Sequence, residues 1–221
     1  MRDVFRDRIE AGQLLAAELM QYADKPDVIV LGLPRGGIPV AFEVAKALHA
    51  PLDVFVVRKL GTPGQRELAM GAVASGGGRV INEDVVRGLG IPDEVIDAVA
   101  AEEEQELKRR ELAYRGSHSV PEVRGKTVLL IDDGIATGST MRAAIRALNS
   151  QRPARLVVAV PTAAASTCRE LRTEVDDLVA LMAPEFFRGV GEWYEDFRQT
   201  GDEEVTELLQ RAAGHQASRS V

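Results

Sequence analysis

The sequence holds a single cysteine, Cys168. One thiol closes no intrachain disulfide and builds no cysteine metal cluster, and such scarcity fits a reducing compartment. Among small residues in a helical stretch, Cys168 reads as an inert packed thiol. Aromatic residues make up only 5% of the chain, so the core must come from Val, Leu, Ile and Ala. Net positive charge is missing as well: 27 Lys and Arg face 34 Asp and Glu, a balance of −7. A net acid attracts neither nucleic acid nor an anionic membrane, so neither is an expected partner. No apolar run nears the ~20 residues that a membrane helix needs. Met1–Arg8 lacks the apolar stretch of a secretion signal. A cytoplasmic protein is the expectation.

What is present is enough for one domain: 221 residues, 45% hydrophobic and 28% charged. Phe5, Ile9, Leu15, Leu19 and Tyr22 among charges predict an N-terminal helix over 4–22. Asp27–Leu31 and Asp53–Arg58 predict buried strands, with a helix over 38–49 between them. Further strands are expected at 126–131, 154–160 and 176–182, and helices at 139–149, 163–172 and 202–213. Residues 214–221 are expected to fray. Residues 59–78 differ in kind. Gly61, Pro63, Gly64, Gly71 and Gly76–Gly78 predict a flexible loop with at most a loose hairpin near 69–75.

A helical insertion is expected over about 83–115, its main helix opened by Pro92 and running to Tyr114. Glu104 with Lys108, and Glu106 with Arg110, pair at i,i+4 and give that helix a solvated face. It suits a small hood over a site or a homodimer contact. Continuous apolar strands alternating with helices mean a parallel sheet covered on both faces. The expected fold is therefore α/β: a single Rossmann-like domain over 1–221, with a central parallel sheet flanked by helices.

Ligands of such sheets bind where strands end and helices begin. The best-marked turn runs from Lys126 to Thr140. Val128–Ile131 deliver the chain to the sheet edge, where Asp132 and Asp133 stand. Gly134-Ile135-Ala136-Thr137-Gly138-Ser139-Thr140 then leads into a helix. Small residues let backbone N–H groups approach a ligand, and a helix N-terminus favours a phosphate. Two carboxylates beside a phosphate cup make sense if they hold hydroxyls, with a divalent cation balancing the charge. The plainer alternative is that the acids merely cap the helix.

Residues 128–140 resemble the phosphoribosyl-pyrophosphate-binding motif of the type I phosphoribosyltransferase family. The resemblance implies that Asp132 and Asp133 hold the ribose hydroxyls and serve Mg²⁺, either directly or through those hydroxyls or water. It implies that Ala136, Thr137, Gly138, Ser139 and Thr140 hold the 5-phosphate, with Gly134 and Ile135 completing the loop. Pro34-Arg35-Gly36-Gly37 resembles the family's pyrophosphate loop, which often carries a non-proline cis peptide, here Pro34–Arg35. Arg58, Lys59 and Arg66 match the basic loop that covers the site; Lys59 is the first candidate to reach pyrophosphate, then Arg66.

Displacing pyrophosphate would then rest on Mg²⁺, Arg35 and Lys59, with no covalent nucleophile. Acceptor bases in the family stack on an aromatic ring after the last strand, and Phe187 is the candidate within the Pro184–Phe197 cluster. Ala136 stands where 6-oxopurine members carry an acid, so the run is closer to the adenine-type motif. The implied partners are phosphoribosyl pyrophosphate and an acceptor base. A non-catalytic sensor of phosphoribosyl pyrophosphate or a nucleotide is the alternative. Gly32–Gly37 does not fit G-x-G-x-x-G, and G-x-x-x-x-G-K-[ST] is absent. His49, His118 and His215 share no motif and are not expected to be catalytic.

Overall fold

Val, Leu and Ile runs too short to be anything but strands set the frame of the molecule. The structure, a computed structural model, describes residues 4–116 and 119–217, the side chains at 66, 67 and 217 excepted. The chain begins with α1 (Arg8–Glu18), β1 (Val28–Gly32), α2 (Gly37–Leu48) and β2 (Leu52–Val54). An arm follows: β3 (Val57–Thr62), β4 (Gln65–Ala74), β5 (Gly78–Ile81), α3 (Glu83–Leu89) and α4 (Asp93–Arg115). The rest is β6 (Thr127–Ile131), α5 (Ser139–Ser150), β7 (Arg155–Thr162), α6 (Ala165–Leu171), β8 (Asp177–Met182) and α7 (Asp202–Ala217).

The main sheet has five parallel strands in the order β2-β1-β6-β7-β8. Side chains alternate across it, as strand geometry requires. Val128 and Leu130 of β6 pack with Met141, Ile145 and Leu148 of α5 on one face. Leu129 and Ile131 pack with Leu15 of α1, Leu19 just past its end, and Val40 and Val44 of α2 on the other. Both faces are covered, as the unbroken apolar runs imply. From β1 the chain moves outward to β2, then returns to place β6 on the other side of β1. That reversal opens a crevice at the carboxyl ends of β1 and β6.

The structure corrects several boundaries. The N-terminal helix starts only at Arg8, where Asp7 caps it by accepting from Glu10 N at 2.8 Å. Residues 20–22 form a separate 3₁₀ turn. The expected strand at 53–58 is two strands in two sheets. Residues 59–78 are not an irregular loop but the body of an antiparallel sheet, β3-β4-β5. Glycine there serves tight turns rather than loop disorder, with Gly64, Gly76 and Gly77 at φ of 79°, 83° and 77°. Helix α7 persists to Ala217, past the expected fraying point; residues 218–221 and His118 lie outside the described residues.

The insertion over 83–115 forms α3 and α4. Ile96, Ala100, Leu107 and Tyr114 of α4 bury against Leu60, Met70 and Val73 of the arm sheet and against Val205 of α7. The apolar face of α4 is thus spent within its own chain. Its last residue, Arg115, is buried and donates to Asp53 Oδ1 at 2.7 Å, to Glu111 Oε1 at 2.8 Å and to the Val54 carbonyl. Burial pushes the Asp53 carboxyl up, against the pull of Arg115. Among the described residues no helix is long and apolar enough to cross a membrane.

Tyr114 Oη donates to Asp202 Oδ1 at 2.7 Å, tying α4 to the start of α7. Burial, then that carboxylate, push the Tyr114 pKa from 10.0 up to about 12. The folded state holds this proton longer, so the stability it confers is complete below pH 10.0 and is lost as pH rises through about 12. Spectrophotometric titration should show one tyrosine ionising near pH 12, absent in Tyr114→Phe, which costs about 1 kcal/mol at neutral pH. Identical titrations of variant and native protein would exclude the contact.

Candidate functional site

The turn after β1 and the turn after β6 emerge side by side in the crevice. Leu33 N donates to the Ile131 carbonyl at 2.9 Å, which fuses the two strand ends. The Pro34–Arg35 peptide is cis, as the resemblance implies. Gly36 and Gly37 are required here by proximity and not by φ. A Cβ at Gly36 would stand 2.0 Å from Asp133 Oδ2, and one at Gly37 would stand 2.9 Å from Asp132 Cα. One ligand can therefore touch both turns.

The acidic pair does not cap α5. That helix is capped by Gly138, at φ 73°, with no side-chain hydrogen bond, so its first N–H groups have no side-chain cap. The helix-cap alternative for the two acids is excluded. Asp132 Oδ1 accepts from Asp133 N at 2.9 Å. Burial, then the neighbouring Asp133, push the Asp132 carboxyl far up. Burial also pushes Asp133 up, with Arg8 pulling the other way.

The loop between the acids and α5 is held from behind. Ile135 N donates to the Thr162 carbonyl at 2.9 Å, and Thr167 Oγ1 to the Ala136 carbonyl at 2.7 Å. Arg142 Nη1 donates to the Thr137 carbonyl at 2.8 Å. Gly134 sits where a Cβ would meet Val190 Cγ1 at 2.5 Å, and Gly138 where one would meet Thr167 Cγ2 at 2.7 Å. Ala136, Thr137, Ser139 and Thr140 are exposed, forming an open cup at the start of α5.

The cations divide. Arg35 is partly exposed, and its Nη1 lies 3.9 Å from Asp202 Oδ1, a loose surface contact. Lys59 lines a cavity of about 210 Å³ with Ser139, Arg142 and Arg146 of α5, next to the cup. Arg58 is the residue the structure does not bring to the site. One position along β3 it faces the opposite side, with Nε 2.7 Å and Nη2 2.6 Å from Glu103 of α4. Arg66 lies on β4, and its side chain is outside the described residues.

Phe187 stacks on Trp193 with ring centroids 6.1 Å apart and planes 14° from parallel. Phe186 is 94% exposed. His49 and His215, unrelated in sequence, line one apolar cavity between α2 and α7, and neither is near the acids. Among the described residues, no group of three or more His, Cys, Asp and Glu is placed to hold a metal ion.

Sequence reasoning missed Arg8, Tyr194 and Phe197. Arg8 donates to Asp133 through Nε at 2.8 Å, and Tyr194 Oη donates to the Asp133 carbonyl at 2.6 Å. Burial, then Asp133, push the Tyr194 hydroxyl up. Phe5 and Tyr194 pair across a short β-bridge, bringing the segment just before α1 to the crevice. No local pattern announces a partnership 125 residues apart.

Comparison with known proteins bears on this geometry. The family described as the phosphoribosyl transferase domain matches residues 6–195. A protein of Mycobacterium tuberculosis, provisionally named a phosphoribosyl transferase, is 47% identical over 210 residues, covering 95% of this chain and 47% of its own. The chain thus spans about half the length of the curated relatives it matches. The solved structure of TT1426 from Thermus thermophilus is 40% identical with a TM-score of 0.85, covering 94% of this chain and 98% of that one.

Proposed function

The chain belongs to the phosphoribosyl transferase domain family, and we propose that it binds 5-phosphoribosyl-1-pyrophosphate and transfers the phosphoribosyl group to a nitrogenous acceptor with release of pyrophosphate. The observation that carries this reading is the contact between the two turns. Gly36 lies against Asp133, so a ligand with pyrophosphate at one end and vicinal hydroxyls in the middle meets both at once.

In this reading Asp132 and Asp133 accept from the ribose hydroxyls. The N–H groups at the uncapped start of α5, with Thr137, Ser139 and Thr140, hold the 5-phosphate. The Pro34–Gly37 turn holds pyrophosphate through its backbone, and Arg35, loosely engaged by Asp202, is available to pair with it. Lys59, beside Ser139, adds positive charge on the arm side. Positive charge arranged in advance around a departing anion lowers the barrier without reorganisation. The Phe187–Trp193 stack offers an apolar face for an acceptor base.

Mg²⁺ fits as a metal that arrives with the substrate. The acids are two, adjacent and partly buried, which suits indirect contact better than a protein cage. When bound, it would neutralise charge on the pyrophosphate. The carboxylates would orient the ribose hydroxyls.

The test is a panel of bases and nucleotides incubated with phosphoribosyl pyrophosphate and Mg²⁺, reading pyrophosphate release. Acceptor-dependent release is expected for at least one base. Tight binding without release on any acceptor would instead support a sensor.

A further inference from the structure

Arg8 stands where the two turns meet. Its Nε donates to Asp133 Oδ2 at 2.8 Å and its Nη2 lies 2.8 Å from the same oxygen, so hydrogen bond and ion pair converge on one carboxylate oxygen. A Cβ at Gly36 would lie 3.2 Å from Nη2, so the guanidinium also borders the Pro34–Gly37 turn. Its Nη1 donates to the Arg198 carbonyl at 2.6 Å, and its carbon lies 4.0 Å from the Phe197 ring centroid. The side chain is only 12% exposed.

The backbone that carries Arg8 is clamped as firmly. Phe5 N donates to the Trp193 carbonyl at 2.8 Å, Glu195 N to the Phe5 carbonyl at 2.8 Å and Asp196 N to the Arg6 carbonyl at 2.9 Å. A guanidinium held by a ring, a carbonyl and a carboxylate is a fixed fork, unlike a surface arginine that wanders.

We propose that Arg8 is a positioning residue for the ribose-binding carboxylate: it fixes Asp133 through Oδ2 and leaves Oδ1 to receive a ribose hydroxyl. The inference rests on the phosphoribosyl pyrophosphate reading above. It makes the first turn of α1 and the 193–198 segment parts of the site. A rigid anchor matters because Asp133 faces Asp132, and two neighbouring carboxylates otherwise turn away from each other before any ligand arrives.

The test uses calorimetric titration of three probes, each with Mg²⁺: phosphoribosyl pyrophosphate, ribose 5-phosphate and pyrophosphate. Native protein, Arg8→Lys and Arg8→Gln are compared, with a melting curve for each. Arg8→Gln should weaken phosphoribosyl pyrophosphate and ribose 5-phosphate by about tenfold, the scale of one charge-assisted hydrogen bond. Pyrophosphate affinity should stay within about twofold, and Arg8→Lys should fall between, because it keeps the charge but loses the fork.

A folded Arg8→Gln with unchanged ribose 5-phosphate affinity and only a lower melting point would reduce Arg8 to a structural clip and overturn the proposal. Loss confined to pyrophosphate would also overturn it, by making Arg8 a direct leaving-group contact. Should Arg8→Gln fail to fold, Phe197→Leu removes the ring platform while keeping the arginine. It should then weaken ribose 5-phosphate by a smaller factor, and no change there counts against the proposal. Native protein that binds no phosphoribosyl pyrophosphate would instead bring down the reading on which the inference rests.

Discussion

Replacing Asp132 and Asp133 together with asparagine should weaken phosphoribosyl pyrophosphate binding in the presence of Mg²⁺ by more than about tenfold. Asparagine keeps the size and part of the hydrogen bonding but removes two charges, and charge-assisted bonds are about twice as strong as neutral ones. Calorimetric titration reads the effect directly, and unchanged affinity in a folded double variant would sink the site assignment.

The sequence alone predicts little cost in stability, since adjacent acids repel. The structure divides that expectation between the two residues. Asp132 is pushed up by burial and by Asp133 more than Arg8 pulls it down, and among the described residues no ion pair holds it, so Asp132→Asn should raise the melting point. A carboxyl with a raised folded pKa confers stability below its unfolded value and loses it as pH rises, so this gain should appear at neutral pH and vanish in acid. Burial raises Asp133 too, but Arg8 opposes the shift and asparagine would cost Arg8 its carboxylate partner, so Asp133→Asn should gain less than Asp132→Asn. Equal shifts in the two single variants would contradict this division.

The parts of the candidate site that were legible share one property: each lies within a local pattern. Val128–Ile131, the acid pair and the small-residue turn lie within thirteen consecutive positions, and each neighbour constrains the next. The cis Pro34–Arg35 turn was legible for the same reason, through resemblance over four residues. The arm was misread because glycine and proline mark a loop only when no partner strand is available. Here β3 pairs with β4 and β4 with β5, and tertiary pairing overrides composition. Arg58 and Lys59 could not be told apart by charge; strand alternation sends one to Glu103 and the other to the α5 cavity. Arg8 was invisible because only folding brings it to Asp133, from the far end of the chain.

Gly36→Ala tests that long-range construction at its tightest point. The backbone at Gly36 has φ −63° and ψ −29°, which alanine adopts freely, so no backbone strain arises. The obstacle is space: the new Cβ would stand 2.0 Å from Asp133 Oδ2 and 2.7 Å from its Cγ. A carboxylate at the end of a short side chain could swing aside, but Arg8 holds that same oxygen by a hydrogen bond from Nε and an ion pair through Nη2. Either the Arg8 pair breaks or the Pro34–Gly37 turn lifts away from the acids. Overpacking of this kind costs about 1–3 kcal/mol, seen as a lower melting point. Affinity for phosphoribosyl pyrophosphate should fall by more than about tenfold, since the turns would no longer present both ends of one ligand at the right spacing. The stability cost should be conditional: in an Asp133→Ala background the clashing atoms are gone, and Gly36→Ala should cost almost nothing further. Strict additivity of the two substitutions in melting experiments would mean that the turns do not meet at Asp133.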